Sequence, residues 1–127
     1  MSSLTKSILI IMERGGYPDF SAIFNQAGYK VTIENSMRKA MSLLKKNTPD
    51  IVIAEFNFQT DFRDRTSSLE SLMATLQRFT GVKVIVFYEK EYITHFNRLR
   101  ERYDFHCALD FPVSEKKLEE CILNVAE

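Results

Sequence analysis

The stretch PDIVIAEFNF, residues 49–58, constrains the fold of this chain more than any other. Pro49-Asp50 is a turn signal, and Ile51 to Ala54 follow as an unbroken run of β-branched and small apolar residues. A strand with one wet face alternates apolar and polar residues. An unbroken apolar run belongs to a strand covered on both faces, in the middle of a parallel sheet. The run ends at Glu55, where such a strand meets its loop. In open α/β sheets, ligands and chemistry collect at the carboxyl ends of the strands. Glu55 therefore stands where an active carboxylate would stand.

The rest of the chain alternates around this strand. SILIIM, residues 7–12, is a first strand, broken by the glycines of ERGGY. Pro18 and Asp19 open a helix with Phe20, Ile23, Phe24 and Ala27 at helical spacing, and Gly28 ends it. YKVTI, residues 29–33, is a second strand. Asn35 or Ser36 caps a helix with Met37, Ala40, Met41 and Leu44 on one face. After the central strand comes NFQTDFRDRT, residues 57–66, long and polar for a βα connection. Ser67 and Glu70 form a capping box before Leu69, Leu72, Met73, Leu76 and Phe79. VKVIVF, residues 82–87, is the fourth strand, and a helix over about 90–102 carries Tyr92, Phe96, Leu99 and Tyr103. CALD, residues 107–110, is a short fifth strand, and Ser114 caps a last helix with Leu118, Cys121, Ile122 and Val125 facing inward.

Five strands alternating with five helices imply an α/β fold with right-handed crossovers and helices on both faces of the sheet. In 127 residues this fits one domain, 1–127, of flavodoxin-like (βα)5 form: a three-layer sandwich with a parallel five-stranded sheet in the order 2-1-3-4-5. A dinucleotide-binding Rossmann fold is disfavoured, because ERGGYPDF lacks GxGxxG.

Composition narrows the function. Lys plus Arg equals Asp plus Glu, at 17 each, so no basic excess supports nucleic-acid binding. No apolar run approaches the roughly 20 residues of a membrane span, and the N-terminus reads as a strand rather than a signal peptide, so the expected location is the cytoplasm. Cys107 and Cys121 are too few and too far apart for a disulfide framework or a CxxC pair and read as buried free thiols. His95 and His106 with the two cysteines lack the spacing of a zinc site, and no metal is expected there.

With the pattern of units and PDIVIAEFNF in view, the chain resembles the receiver domain of bacterial two-component response regulators, over essentially its whole length. The resemblance rests on architecture, on Pro49-Asp50 before the third strand, and on Pro112 after the fifth. It implies a magnesium-binding acidic pair after strand one, a phospho-acceptor aspartate ending strand three, Thr or Ser ending strand four, and a Lys before the final Pro. Those positions here hold Met12 and Glu13, Glu55, Tyr88 (or Phe87 with a register one step earlier), and Phe111. The chemistry suffers at each. Mg²⁺ takes closely placed oxygen ligands, and Met12 offers none, so no cofactor is expected. Glu55 carries its carboxylate roughly 1.5 Å further out than an aspartate would, and in-line transfer depends on positioning. Phe111 cannot pair with a phosphoryl oxygen. The resemblance thus implies a degenerate receiver, non-enzymatic and independent of phosphorylation.

Glu55 reads either as a fixed charge imitating a phosphorylated acceptor or, preferably, as a partly exposed strand-end carboxylate paired with Arg14, Arg63 or Arg65. In receivers the surface of helix four, strand five and helix five is the usual partner or dimer face. Here Glu91, His95, Arg98 and Arg102 fall at i, i+4, i+7 and i+11, and Glu115 and Glu119 lie on the last helix. A basic stripe facing an acidic one suits a protein partner or a homodimer. Phe58 and Phe62 are expected as a lid over the strand ends. Two other readings stand beside this one: a working receiver using an unusual carboxylate such as Asp61, and a small flavodoxin-like enzyme or cofactor binder using ERGGY. With no output module expected beyond Glu127, direct DNA binding is not anticipated.

Overall fold

The computed structural model describes residues 6–12, 21–56, 68–79, 81–110 and 113–125, with side chains described except at 68–71 and 123–125. The elements are β1 (Lys6–Ile11), α1 (Ser21–Gln26), β2 (Tyr29–Glu34), α2 (Met37–Lys46), β3 (Ile51–Glu55), α3 (Ser68–Leu76), β4 (Lys83–Tyr88), α4 (Ile93–Arg100), β5 (Cys107–Asp110) and α5 (Glu115–Val125). The strands form one parallel sheet in the order β2-β1-β3-β4-β5, the expected flavodoxin-like arrangement. The ERGGY segment, the long 57–66 connection with Phe58, Asp61 and Phe62, and the Ser67–Glu70 capping box lie outside the described residues or side chains.

Every residue of β3 is buried. The alternation of strand side chains divides them between two cores. Leu9, Ile11, Val52, Ala54, Val84 and Val86 meet Ala40, Leu44, Leu72, Leu76, Phe96 and Leu99 of α2, α3 and α4. On the other face, Ile8, Ile10, Ile51, Ile53, Ile85 and Phe87 meet Phe24 of α1 and Leu118, Cys121 and Ile122 of α5. Each large apolar side chain so buried is worth about 1.5–3 kcal/mol relative to exposure.

Local chemistry sets the ends. Ser36 Oγ accepts from Lys39 N at 3.3 Å, so Ser36 rather than Asn35 caps α2, and Ser114 Oγ accepts from Lys117 N at 3.4 Å at the start of α5. Gly28 leaves α1 at φ 90°, a left-handed turn that a side chain would strain. The fourth helical segment is not one helix over 90–102: a 3-10 turn, Lys90–Tyr92, precedes α4, and Arg102 and Tyr103 both donate their amides to Leu99 O at 3.0 Å beyond its end. β4 also runs one residue later than the sequence suggests, so Tyr88 is its last residue.

Asp50 fastens the amino-terminal edge of the sheet. Its Oδ2 accepts from Ser7 N at 2.8 Å, its own amide donates to Ser7 O at 3.0 Å, and its carbonyl accepts from Lys83 N at 3.0 Å. One residue thus links the starts of β1, β3 and β4. Nearby, the buried Tyr29 hydroxyl makes no hydrogen bond to the described residues. Burial, and after it the charge of Asp50, pushes the Tyr29 phenol above its ordinary 10.0.

Two outcomes follow. Asp50→Ala, by chemical denaturation, should cost about 1–2 kcal/mol, because it removes a charge-assisted bond and leaves the Ser7 amide to solvent. Tyr29 keeps its proton longer when folded than when unfolded. Its contribution is therefore complete below pH of about 10 and is lost as pH rises through the folded value. Stability should decline above that pH in the wild type, and Tyr29→Phe should remove this part of the decline.

Candidate functional site

The carboxyl edge of the sheet can be read row by row from the strand register. Ile11 pairs with Ala54, which sets Met12 level with Glu55; Glu55 pairs with Phe87, and Phe87 with Leu109. The row is therefore Met12, Glu55, Phe87, Leu109. Met12, Phe87 and Leu109 all belong to the core on the α1/α5 face. Glu55 was expected to be partly exposed; it is instead buried, at 5% exposure. The reason is its place in the central strand, between two neighbours whose side chains are apolar. Arg14, Arg63 and Arg65, its anticipated partners, lie outside the described residues, as do Glu13 and Phe111.

One step further out, Tyr88 pairs with Asp110 in register. The Tyr88 ring stacks on Phe96 of α4, centroids 5.0 Å apart and planes 24° apart. Phe96 also meets Phe56 and Phe105, each at 5.3 Å, and the Arg100 guanidinium lies 5.5 Å from its centroid. At the position where the resemblance implied Thr or Ser, the Tyr88 ring belongs to the packing of α4. Phe87, one step earlier, is a buried ring as well.

Lys90 and Asp110 form a pair at this edge, Nζ to Oδ2 at 3.3 Å, bridging the ends of β4 and β5. The Asp110 backbone amide, and then Lys90, hold the Asp110 carboxyl below its usual range. Sequence reasoning missed the pair. Its signal was two opposite charges, Asp110 at the end of the fifth strand and Lys90 two residues past the fourth, which become neighbours only once β4 and β5 are paired.

The receiver resemblance implies Mg²⁺, and the described residues do not fit it. Met12 supplies a thioether in place of a hard oxygen, and Glu55 is buried at 5% exposure, level with Met12 and Phe87. No group of three or more His, Cys, Asp or Glu among the described residues could hold a metal ion.

Cys107 and Cys121 are not free thiols: they are joined as a disulfide, Cα atoms 6.3 Å apart, within the range such bonds require. Their separation of 14 residues conceals that α5 folds back directly over β5. The His106 ring is 2.9 Å from Cys121 O, a second link between the start of β5 and α5.

On the α4–β5–α5 surface, Glu91, Arg98 and Arg102 are exposed and His95 is half-buried. Only His95 and Arg98 lie within α4 proper. Glu91 sits in the 3-10 turn, and Arg102 follows the helix, its guanidinium 5.5 Å from the Tyr103 centroid. Glu115 and Glu119 are exposed on α5. No described helix is long and apolar enough to cross a membrane.

The disulfide closes a loop of about 15 residues, which should stabilise the fold by about 3 kcal/mol. Reduction should lower stability by that order in denaturant titrations and add two hydrogens to the intact mass. A Cys107→Ser/Cys121→Ser variant should be insensitive to reductant.

No family model matches the chain, and no curated protein matches it. Solved structures do. A CheY-like response regulator receiver domain from Methanospirillum hungatei JF-1 is 16% identical, with 95% of this chain and 93% of that one covered and a TM-score of 0.76. A signal receiver domain of a LuxO repressor-type protein from Vibrio parahaemolyticus is 12% identical, with 96% and 90% covered and a TM-score of 0.73. A response regulator from Burkholderia multivorans is 21% identical, with 98% and 97% covered and a TM-score of 0.70. This chain has the fold of a response-regulator receiver domain.

Proposed function

We infer that this chain is a receiver-like domain that no longer takes a phosphoryl group and serves as a phosphorylation-independent protein-binding module in signal transduction. The observation that carries the reading is the row Met12, Glu55, Phe87, Leu109, a buried carboxylate set between packed apolar side chains. Phosphoryl transfer needs an exposed nucleophile in line with its donor, and cations to take up the charge of the transition state. Met12 and Phe87 supply neither. The stack of Tyr88 on Phe96 supports the second half of the reading, because it ties the end of β4 to α4 through packing that needs no phosphate. The α4–β5–α5 surface is then held in one arrangement and recognises a partner protein through exposed charges of both signs: Glu91, Arg98 and Arg102 against Glu115 and Glu119, with His95 at the margin.

Incubation with acetyl phosphate and Mg²⁺, followed by intact-mass spectrometry, tests the reading. The mass should be unchanged at saturating donor. A stoichiometric phosphoryl adduct on any carboxylate, Asp61 included, would contradict it.

A further inference from the structure

β2 is the edge strand of the sheet, paired with β1 on one side only among the described residues. The carbonyl of Glu34 accepts from Met12 N at 2.9 Å and so points toward β1. Backbone groups alternate along a strand, so Lys30, Thr32 and Glu34 turn their N–H and C=O groups inward, and Val31 and Ile33 turn theirs away from the sheet. These outward groups are strong hydrogen-bonding groups available to another strand. The side chains beside them are open too. Ile33 is 50% exposed, the exposed large hydrophobic among the described residues. Lys30 and Thr32 are exposed and line an open cleft of about 420 Å³ against Leu43 and Asn47 on the α2 side.

Edge strands commonly defend themselves with charge that repels a second strand. Here the charges do the reverse. Lys30 and Glu34 are opposite in sign and equally distant from Thr32. We propose that β2 pairs antiparallel with β2 of a second copy of this chain, about a two-fold axis at Thr32. In that register Lys30 faces Glu34 of the second copy, and Glu34 faces its Lys30. Val31 faces Ile33 of the second copy, and these are the outward-turned residues, so each such pair exchanges two backbone hydrogen bonds. Exposed Ile33 then gains an apolar neighbour. Centring on Val31 or Ile33 instead sets Lys30 or Glu34 against Thr32 and loses the charge pairing. Half-step registers set outward groups against inward ones. Only the Thr32-centred register satisfies backbone and charge together.

A contact of five residues a side is small, so association at micromolar to millimolar rather than nanomolar concentration is expected. The edge lies at the opposite end of the sheet from β5. The dimer therefore leaves both α4–β5–α5 surfaces open and presents them as a pair, which strengthens binding to a repeated or dimeric partner without any new contact.

Sedimentation velocity over a concentration series of the full chain tests this, with circular dichroism checking that each variant is folded. The wild type should show a reversible monomer–dimer equilibrium. Lys30→Glu and Glu34→Lys each set like charges face to face at two places and should each weaken the dimer by about 10-fold or more. An equimolar mixture of the two variants should recover it, because in the mixed dimer every charge again meets its opposite. Hydrogen exchange on the wild type gives a readout that needs no variant: Val31 and Ile33 amides should gain protection as concentration rises, and those of Lys30 and Thr32 should not. A wild type monomeric up to about 1 mM, a dimer indifferent to both charge variants, or one broken by Arg98→Glu alone would overturn the proposal. Arg98→Glu bears on the proposed partner surface, so the two readings can fail separately.

Discussion

The fold depends on the burial of β3 from both sides. Ile51, Val52, Ile53 and Ala54 divide their side chains between the α1/α5 core and the α2/α3/α4 core, and no other strand is buried at every residue. Burying both faces requires helices on both faces, and parallel crossovers supply them. The same constraint decides the environment of Glu55. A carboxylate in the last position of a fully covered strand stays accessible only if its neighbours in the adjacent strands are polar or small. Here they are Met12 and Phe87, so the covering extends over the acid.

Among the described residues, packed apolar side chains flank Glu55 along the carboxyl edge. Met12, Phe87, Leu109 and Tyr88 are packed side chains, and three of them belong to the α1/α5 core. Tyr88 instead joins Phe96, Phe56 and Phe105 in an aromatic cluster that seats α4. Stacked and tilted ring pairs at these distances add about 0.5–1.5 kcal/mol each beyond the area they bury. The cluster makes the position of α4 a property of the core, and the disulfide from Cys107 to Cys121 does the same for α5 against β5.

The sheet order and the two-sided core were legible in the sequence because they follow from unbroken apolar runs and helical spacing, signals local to each element. The places of Met12, Glu55 and Tyr88 at or next to strand ends were legible for the same reason: each closes a recognisable apolar run. What escaped depends on how elements meet. Glu55 looks exposed from its own strand and is buried by its neighbours. Cys107 and Cys121 look distant until α5 lies over β5. Lys90 and Asp110 become a pair through the β4–β5 register. The stripe of Glu91, His95, Arg98 and Arg102 assumed a continuous helix, and the 3-10 turn at Lys90–Tyr92 removes Glu91 from it.

If packing rather than phosphate holds the α4–β5–α5 surface, that surface should not respond to a phosphoryl mimic. Amide spectra of the isotopically labelled chain, recorded while beryllofluoride and Mg²⁺ are added, measure this directly. The account predicts that resonances of Tyr88, α4, β5 and α5 stay where they are through the titration. Saturable shifts that begin near Glu55 and extend through Tyr88 into α4 and α5 would contradict it, for they would mean that the edge still binds the ligand and still transmits it.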